Sequence, residues 1–591
     1  MQLWILAVVI GAFAGILTPS AWYFVEQVNN ALLKFQLSQQ QHTGFFSALL
    51  LPALVALSLF LLFAAFRAYR SADAFTYLIS DIHFQEGRRK LRYSFANGVA
   101  TVLLLVGGGV VGIEGFCFEL LSALGGKLGV LTKLPPKQIR ALASCGLSAG
   151  IAALLGQPMT AFLFAIELLY GWGGISFTVG PFAISAFVAA SFSQTLTSPA
   201  GIFRNLLGSD GGLSQAIRGE NLDLEPVTAL ISILAVAVCA AALASFVIWI
   251  YRKTDKELHA LFGTRRATDI SPKALAMRLA LWAVLTAAVS FYIPESLGSG
   301  ISILHSSLSD GFMLKVTVLA ILLRVLMGTL AYTVFGTMGL VLPCLVLGAM
   351  LGGALASFFA PFLSVNTSTM ALLGMGAFFS ASFGTPVSAT ALVYGFAGGI
   401  ASENSVFLFA AMITNFLAHF LCGFVQEDRM GSMGLYRHGI RFRSGMCFNT
   451  LSSIQVQDAM LSWVTPLQKD ISIGEAYKTL MNSRFLKLPV VDAEGNYSGV
   501  LSLNDFYGLE TWKKLGENSE VHNLLGITEL IKQSSEKVRA NMSLEDALKV
   551  MSDEEIAPVL EAEGNKFAGI LLRSDLVNLY NKEVVKKAFR R

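Results

Sequence analysis

The chain has 591 residues, of which 54% are hydrophobic and 14% are charged, whereas a soluble domain is usually about 25% charged. Its net charge of +4 is too small to indicate a nucleic-acid partner. The six cysteines form no CxxC pair and no metal-ligand spacing, and the chain has no P-loop, HExxH or GxSxG motif. We therefore expect no metal site, no disulfide framework and no enzyme activity.

Residues 1 to about 425 are almost continuously apolar, whereas residues 450–591 have the composition of soluble protein. Many apolar runs in the first part are interrupted by Gly or Pro, and the chain holds 54 glycines. Such breaks are tolerated in lipid only where the freed backbone groups are buried or line a cavity. The sequence therefore predicts a mainly α, multi-pass protein of the cell membrane, built as a transporter-like bundle of broken helices.

A repeated pattern divides the apolar part into two halves. Residues 156–161 read GQPMTA and residues 384–389 read GTPVSA, and each follows a run rich in small residues. Two-fold repeats with broken helices place a binding site at the interface between the repeats. We predict a membrane domain at residues 1–445 with related halves of about 1–197 and 226–425, although chance similarity between small-residue packing faces remains the alternative.

The polar tail also repeats. One unit carries LPVVDAEGNYSGVLSLNDF and the other carries APVLEAEGNKFAGILLRSDL. Each predicts a β-hairpin with a glycine-containing turn and a short helix after it, and each follows an amphipathic helix with a Ser cap. We therefore predict two β-α-β-β-α units, at residues 446–515 and 516–591.

One acidic side chain lies among glycines inside an apolar run, where Glu114 occupies GGGVVGIEGF at residues 107–116. An ionisable group at membrane depth costs about 3 kcal/mol and is usually functional. A helix that begins here would direct its amides and its positive dipole end at one point, which makes an anion site. A carboxylate could occupy that site itself and leave it on protonation. The alternative is a helix end in the headgroup region.

The second half offers a partner for this segment. GTMGLVLP at residues 336–343 has Gly336 and Gly339 before Pro343, between two apolar runs. This pattern predicts another broken-helix N-terminus, with an ordinary loop between spans as the alternative.

The chain resembles the CLC family of chloride channels and chloride/proton antiporters. Gly112-Ile113-Glu114-Gly115-Phe116 matches the G-[KR]-E-G-P hallmark at both glycines and the glutamate, but lacks the basic residue and the proline. The G-x-F-x-P motif corresponds to residues 339–343, with Val341 in place of the phenylalanine. The inner tyrosine corresponds to Tyr436 in GLYRHGI, and Ser71 in RSADA corresponds to the serine of G-S-G-I-P. The tail repeats resemble a pair of CBS domains.

The resemblance implies a CLC-type fold with an inverted-topology repeat and a gating role for Glu114. It also implies that the hydroxyl groups of Ser71 and Tyr436 donate hydrogen bonds to the anion. The alternatives are a helix cap at Ser71 and an interfacial anchor at Tyr436. Further donors are expected on the main chain of two segments, which we identify as Gly112, Ile113, Gly115 and Phe116 in the first half and Leu340, Val341 and Leu342 in the second.

Antiporters of the family often carry a proton-relay glutamate directly after another glutamate. Here Glu167 matches the first of these, and the relay position is Leu168, which cannot carry a proton. This favours passive chloride conduction, with chloride/proton antiport by another proton route as the alternative. Arg324, alone in an apolar run, resembles a basic residue of the family, and a buried ion pair is its favoured role.

CBS pairs resemble adenine-nucleotide sensors, and Ser502, Asp505 and Asp575 occupy the corresponding positions. We expect no other cofactor, and a structural dimerisation module is the alternative. The resemblance implies chloride or a similar small anion as substrate, a homodimer in the bilayer and a cytoplasmic tail. An unrelated CBS-regulated permease, for sulfate or a divalent cation, is a further alternative. A cation pathway, however, would need more acids within the spans.

Overall fold

A computed structural model describes most of the chain. The described residues fall into two compact units, within 1–447 and 448–590, which are treated separately below. They are 2–43, 45–65, 74–84, 87, 91–170, 179–196, 226–261, 272–293, 296–309, 314–335, 339–363, 365–397, 405–426, 428–433, 435, 441–443, 446–448, 455–507, 526–532, 538–551 and 555–574.

The first half of the membrane unit contains eight α-helices among its described residues. They are α1 (Gln2–Thr43), α2 (Phe45–Ala65), α3 (Ala74–Phe84), α4 (Leu91–Val106), α5 (Glu114–Leu131), α6 (Pro136–Leu155), α7 (Pro158–Leu169) and α8 (Val179–Leu196).

The second half repeats this order. Its described helices are α9 (Pro226–Leu261), α10 (Pro272–Tyr292), α11 (Ile301–Ser309), α12 (Leu314–Phe335), α13 (Val341–Phe359), α14 (Thr367–Phe383), α15 (Pro386–Phe396) and α16 (Ser405–Val425). Pro158 opens α7 and Pro386 opens α15, and 386 minus 158 gives a spacing of 228. The predicted repeat of broken helices is confirmed by these matching elements.

Helices α6 and α14, which correspond in the two halves, end for the same local reason. Gly156 ends α6 with φ of 67°, and Gly384 ends α14 with φ of 76°. Glycine adopts this left-handed conformation without a Cβ penalty. The following prolines lack an N–H group and fit the first turn of the next helix. The apolar run that looks continuous over residues 139–170 is therefore two helices.

Seven of the described helices are long and apolar enough to cross a membrane, among them Pro136–Leu155 and Val341–Phe359. Others, such as Pro158–Leu169 and Pro386–Phe396, are apolar but shorter. Large apolar side chains such as Phe24, Phe187, Phe409 and Phe424 are more than half exposed, as lipid-facing positions require. The unit is a multi-pass membrane bundle.

Two short strands, β1 (Arg441–Arg443) and β2 (Met446–Phe448), follow the bundle and pair with each other.

The tail contains two copies of one α/β unit. In the first, β3 (Leu467–Gln468) runs parallel to β4 (Lys487–Val491), and β4 pairs antiparallel with β5 (Tyr497–Ser502). In the second, β6 (Val538–Arg539), β7 (Ile556–Leu560) and β8 (Phe567–Leu572) repeat this arrangement. The helices are α17 (Ile473–Asn482), α18 (Leu503–Tyr507) and α19 (Leu544–Met551).

The predicted local signals of the tail are confirmed. Ser472 Oγ accepts the N–H of Glu475 at 3.2 Å, and Ser543 Oγ accepts the N–H of Asp546 at 3.1 Å. Gly495 and Gly564 have φ of 84° and 94° in the two hairpin turns. The Ser caps and the AEGN turns therefore act as their residue types predict.

Candidate functional site

The segment between α4 and α5 brings the starts of two helices from opposite halves together. Gly112 and Gly339 form an isolated antiparallel bridge, in which the Gly112 N–H donates to the Gly339 carbonyl at 3.0 Å. Helix α5 begins two residues after Gly112, and α13 begins two residues after Gly339. Both N-termini are therefore held at one point of the repeat interface.

The side chain of Glu114 fills this point and is fully buried. Its Oε1 accepts the main-chain N–H of Leu342 at 2.8 Å, and the amides of Val341 and of Glu114 itself also face the carboxyl group. Its Oε2 is buried and has no donor within hydrogen-bond range. Two helix N-termini and unpaired amides favour a negative charge, so the geometry is that of an anion site occupied by a carboxyl group.

The two glycines of the bridge make room for that carboxyl group. A Cβ atom on Gly112 would overlap Oε1 and Oε2 of Glu114, and a Cβ atom on Gly339 would lie 2.6 Å from its Cδ. Any other residue at either position would displace the carboxyl group. The glycines of the hallmark pattern are therefore required by close approach and not by a turn conformation.

The other predicted anion-binding residues differ in their surroundings. Ile113, Gly115 and Leu340 are buried around Glu114. The amides of Gly112 and Phe116 donate to carbonyl groups of the protein, the second of them to Ile113 at 3.0 Å. Ser71 and Tyr436 lie outside the described residues, as does Gly336.

Phe116, which stands where the family has proline, packs against α4. A Cβ atom on Gly98 would overlap the Phe116 ring. Gly98 therefore forms a notch that receives the ring from the first turn of α5. The sequence carries no local signal for this pair, because the two residues meet only when α4 and α5 pack.

Leu168 is buried, and its Cδ1 would lie 2.9 Å from a Cβ atom on Gly431. Its neighbour Glu167 caps α15 of the other half. Oε1 of Glu167 accepts the N–H of Val387 at 3.0 Å, and Oε2 accepts the N–H of Ser388 at 2.7 Å. Both oxygens therefore satisfy orphan amides of a helix N-terminus.

A cluster of five buried phenylalanines connects α5 with α7. Phe75 contacts Phe118 and Phe164 edge to face at centroid distances of 6.3 and 6.4 Å, and Phe383 lies 5.4 Å from Phe75. Phe379 completes the cluster, 5.2 Å from Phe164. Phe118 lies one turn after Glu114, and Phe164 lies one turn before Leu168. The aromatic cluster itself offers no group that carries a proton.

The ion pair favoured for Arg324 is not found among the described residues, where its partners are carbonyl groups. This fully buried side chain donates to carbonyl groups, with Nη1 3.3 Å from Ser296 O and Nη2 3.2 Å from both Gly298 O and Ser299 O. A turn of carbonyl groups offers several partial negative charges without the desolvation cost of a carboxylate. The sequence did not reveal this partner, because a carbonyl acceptor has no residue signature.

The tail places two of its three predicted nucleotide residues together. Asp505 Oδ2 accepts the N–H of Ser502 at 2.8 Å, and Asp505 Oδ1 forms an ion pair with Lys532 Nζ at 2.5 Å. Lys532 exchanges main-chain hydrogen bonds with Val500, which fixes it beside this site. Asp575 lies outside the described residues.

Known proteins resemble the chain at several levels. Residues 53–422 match the family model described as voltage gated chloride channel, and residues 464–509 and 527–582 match the CBS domain. The voltage-gated ClC-type chloride channel ClcB of Yersinia pestis is 31% identical over 139 residues, which are 23% of this chain and 33% of that protein. ClcB of Citrobacter koseri is 25% identical over 331 residues, or 55% of this chain and 72% of that protein.

Solved structures share the fold. A slow cyanobacterial Cl−/H+ antiporter superposes with a TM-score of 0.61 at 16% identity, covering 74% of this chain and 98% of that one. A eukaryotic CLC transporter superposes with a TM-score of 0.60 at 14% identity, covering 97% and 99%. Because the family match spans most of the membrane unit and the fold agrees over both units, the chain belongs to the voltage-gated chloride channel (CLC) family and carries a C-terminal pair of CBS domains.

Proposed function

We propose that the protein moves chloride or a similar small anion across the membrane and that Glu114 is its gate. One observation carries this proposal: the fully buried carboxyl group of Glu114 lies at the starts of α5 and α13 and accepts the N–H of Leu342 at 2.8 Å. A site that holds a carboxylate with main-chain amides suits a partly dehydrated halide equally well.

The gate works by exchange between the carboxyl group and the anion. While Glu114 is ionised, its carboxyl group fills the site, and Oε1 accepts a main-chain N–H that a halide would use. Protonation removes the charge that these amides and helix dipoles attract, and the side chain leaves. Main-chain amides bind an anion without a full positive charge, which keeps binding weak enough for release.

Anion flux from liposomes tests the proposal. We expect the Glu114→Gln protein to conduct chloride. Its chloride flux should lose the pH dependence of the intact protein, because the glutamine side chain does not titrate. Glu494→Gln, a change at an exposed acid of the tail, is the matched control and should leave both properties intact. Absence of chloride, nitrate and bromide flux from the intact protein would overturn the proposal.

Passive conduction is the favoured form of this transport. Leu168 cannot carry a proton, Glu167 is engaged by two amides of α15, and the phenylalanine cluster joins α7 to α5. Antiport is the second candidate, and a further buried acid on α5 favours it: Glu119 accepts the Asn97 side-chain amide at 2.5 and 2.6 Å.

A pH-sensitive dye inside the same vesicles separates the two. For a passive channel, a chloride gradient moves protons only as far as the membrane potential drives them, and clamping the potential abolishes the signal. Uphill proton movement at a clamped potential would establish antiport instead. The Glu119→Gln protein would then show whether this acid takes part.

Assembly and orientation follow from family membership as proposals. We infer a homodimer with one anion pathway in each subunit and a tail in the cytoplasm. Cross-linking in native membranes tests the first, and protease access to the tail in sealed inside-out vesicles tests the second. A purely monomeric protein, or a tail cleaved only from the opposite side, would contradict them.

The tail is proposed to bind an adenine nucleotide through Ser502, Asp505 and Asp575. Lys532 already neutralises Asp505, whose side chain is only 8% exposed, so a ribose hydroxyl must displace the ammonium group. We therefore expect Lys532→Ala to strengthen nucleotide binding and Asp505→Ala to weaken it, measured by calorimetry on the full chain. Equal affinities in all three proteins would contradict a role for this ion pair.

A further inference from the structure

Helix α12 makes two contacts near residues 107–113, the segment before Glu114 that is called the gate segment here. Gly328 of α12 approaches Val110, since a Cβ atom on Gly328 would lie 3.7 Å from Val110 Cγ1. One turn earlier, Arg324 holds the turn formed by residues 296–299. Neither contact touches Glu114. The first reaches the segment before it at Val110, and the second reaches the turn formed by residues 296–299.

The turn held by Arg324 is itself bonded to the gate segment. The Gly298 N–H donates to the Gly108 carbonyl at 3.2 Å. Gly108 has φ of 89°, and a Cβ atom there would lie 3.1 Å from Thr286 and 3.5 Å from Leu297. A chain of hydrogen bonds therefore connects the Arg324 guanidinium, through the 296–299 turn, to Gly108, which lies six residues before Glu114.

The space around the guanidinium is closely filled. Gly300 has φ of 77°, and a Cβ atom there would lie 2.6 Å from Cζ of Arg324. Gly298 has φ of 68°, but a Cβ atom there meets nothing within 4 Å. A side chain at Gly300 would therefore collide with the guanidinium, whereas a side chain at Gly298 would meet no neighbour.

We propose that Arg324 is a positioning residue for the gate, which fixes the 296–299 turn and through Gly108 sets the place of the Glu114 carboxyl group. This inference rests on the proposed function of Glu114. It assigns Arg324 a mechanical role through hydrogen bonds to carbonyl groups, distinct from attraction of anions by its charge.

A double-mutant cycle tests this role. We expect Arg324→Gln to change chloride flux at neutral pH by roughly 2- to 30-fold and to shift its pH midpoint, because the carboxyl group loses its fixed position. In the Glu114→Gln background the same substitution should have no further effect. Among the described residues, the thiols of Cys117 and Cys344 are the titratable groups that interact with this carboxyl group, and both backgrounds share them. An equal change in both backgrounds would overturn the proposal.

Two glycine variants separate geometry from charge and serve if Arg324→Gln fails to fold. Gly300→Ala keeps the positive charge but displaces the guanidinium, so positioning predicts the same shift of the pH midpoint. Gly298→Ala adds backbone strain at the residue whose N–H donates to the Gly108 carbonyl, so positioning predicts a shift here as well, although its methyl group meets no neighbour. A Gly300→Ala protein with the pH profile of the intact chain would refute positioning.

Arg278 supplies the control for loss of a buried arginine. It is equally buried on α10 and donates to the Leu258 carbonyl at 3.2 Å. Arg278→Gln should reduce thermal stability without shifting the pH midpoint. Hydrogen exchange of main-chain amides tests the positioning role without a transport assay. The amides of residues 108–113 should exchange faster in Arg324→Gln than in Arg278→Gln. Equal exchange would overturn the positioning role even in a protein without anion flux, whereas absent flux alone would overturn only the proposed function.

Discussion

At the scale of single residues, the environment of Glu114 depends on glycines. Gly112 and Gly339 are the positions where any side chain would collide with the carboxyl group, and both are visible in the sequence because they flank apolar runs. The importance of Glu114 could be predicted from its burial cost alone. Its partner Leu342 could not be identified without the family resemblance, because a main-chain donor has no sequence signature.

The Gly98 notch is a residue-scale feature that gives a direct prediction. We expect Gly98→Ala to reduce stability by about 1–3 kcal/mol and to lower chloride flux, because the new methyl group overlaps the Phe116 ring at the start of α5. Flux assays and thermal unfolding in detergent measure the two effects.

Rescue by a second change distinguishes this clash from a general loss of stability. Phe116→Ala removes the ring, so the double variant should recover flux relative to Gly98→Ala alone. Gly150→Ala is a milder control, since its Cβ would lie 3.0 Å from the flexible end of Leu121. Additive damage in the double variant would show that the ring is not the cause.

At the scale of elements, local signals and tertiary contacts differ in how well the sequence reveals them. The caps at Ser472 and Ser543 and the left-handed glycines at Gly156 and Gly384 follow from residue type and spacing. The break inside the apolar run 139–170 lies at Gly156 and Pro158, which mark it although the apolar composition continues across it. The cap that Glu167 places on α15 joins residues 220 and 221 positions apart, which no local pattern encodes.

The Glu167 cap predicts a graded response. Glu167→Ala leaves the main-chain amides of Val387 and Ser388 without this acceptor and should cost about 0.5–2 kcal/mol. Glu167→Gln keeps one acceptor oxygen and should cost less. Thermal unfolding of the purified protein measures the order. If Glu167→Ala unfolded at the same temperature as the intact protein, the cap would have no energetic role.

The first hairpin of the tail predicts a pH dependence. The main-chain and side-chain amides of Asn496 and the N–H of Glu494 donate to Asp492 and hold the pKa of that carboxyl below its usual range. A lowered pKa in the folded state adds stability that is present at neutral pH and is lost as pH falls through it, below about 4.

Amide exchange at Glu494 and Asn496, corrected for intrinsic rates, measures that loss locally. We expect protection to fall with acid in the intact chain and to be low and nearly independent of pH in Asp492→Ala. The equivalent turn of the second repeat has Glu561 at this position and is the internal reference. Protection that persists below pH 3 would contradict the assignment.

At the scale of the whole molecule, the candidate site exists only because the two halves pack together. The bridge from Gly112 to Gly339 and the bond from Leu342 to Glu114 both cross between repeats. The sequence revealed the repeat through its G-x-P pattern and so placed a site at the interface. It did not reveal the phenylalanine cluster, whose members come from four helices and share no spacing.

That cluster yields the final prediction, which concerns proton movement across the whole protein. Restoring the family's relay acid by Leu168→Glu places a carboxyl group at the end of α7, one turn from Phe164. Since Phe75, Phe118 and Phe164 connect that helix to α5 through contacts that cannot carry a proton, we expect Leu168→Glu alone to produce no chloride-driven proton movement at a clamped potential.

Leu168→Gln is the matched control, because it adds a polar group of the same size without a titratable proton. Both variants should conduct chloride without moving any proton with it. Paired chloride-electrode and pH-dye recordings measure the two fluxes. Proton uptake in Leu168→Glu but not in Leu168→Gln would show that the missing acid is the sole barrier to coupling. The phenylalanine cluster would then have to admit water along a path that connects Leu168 to Glu114.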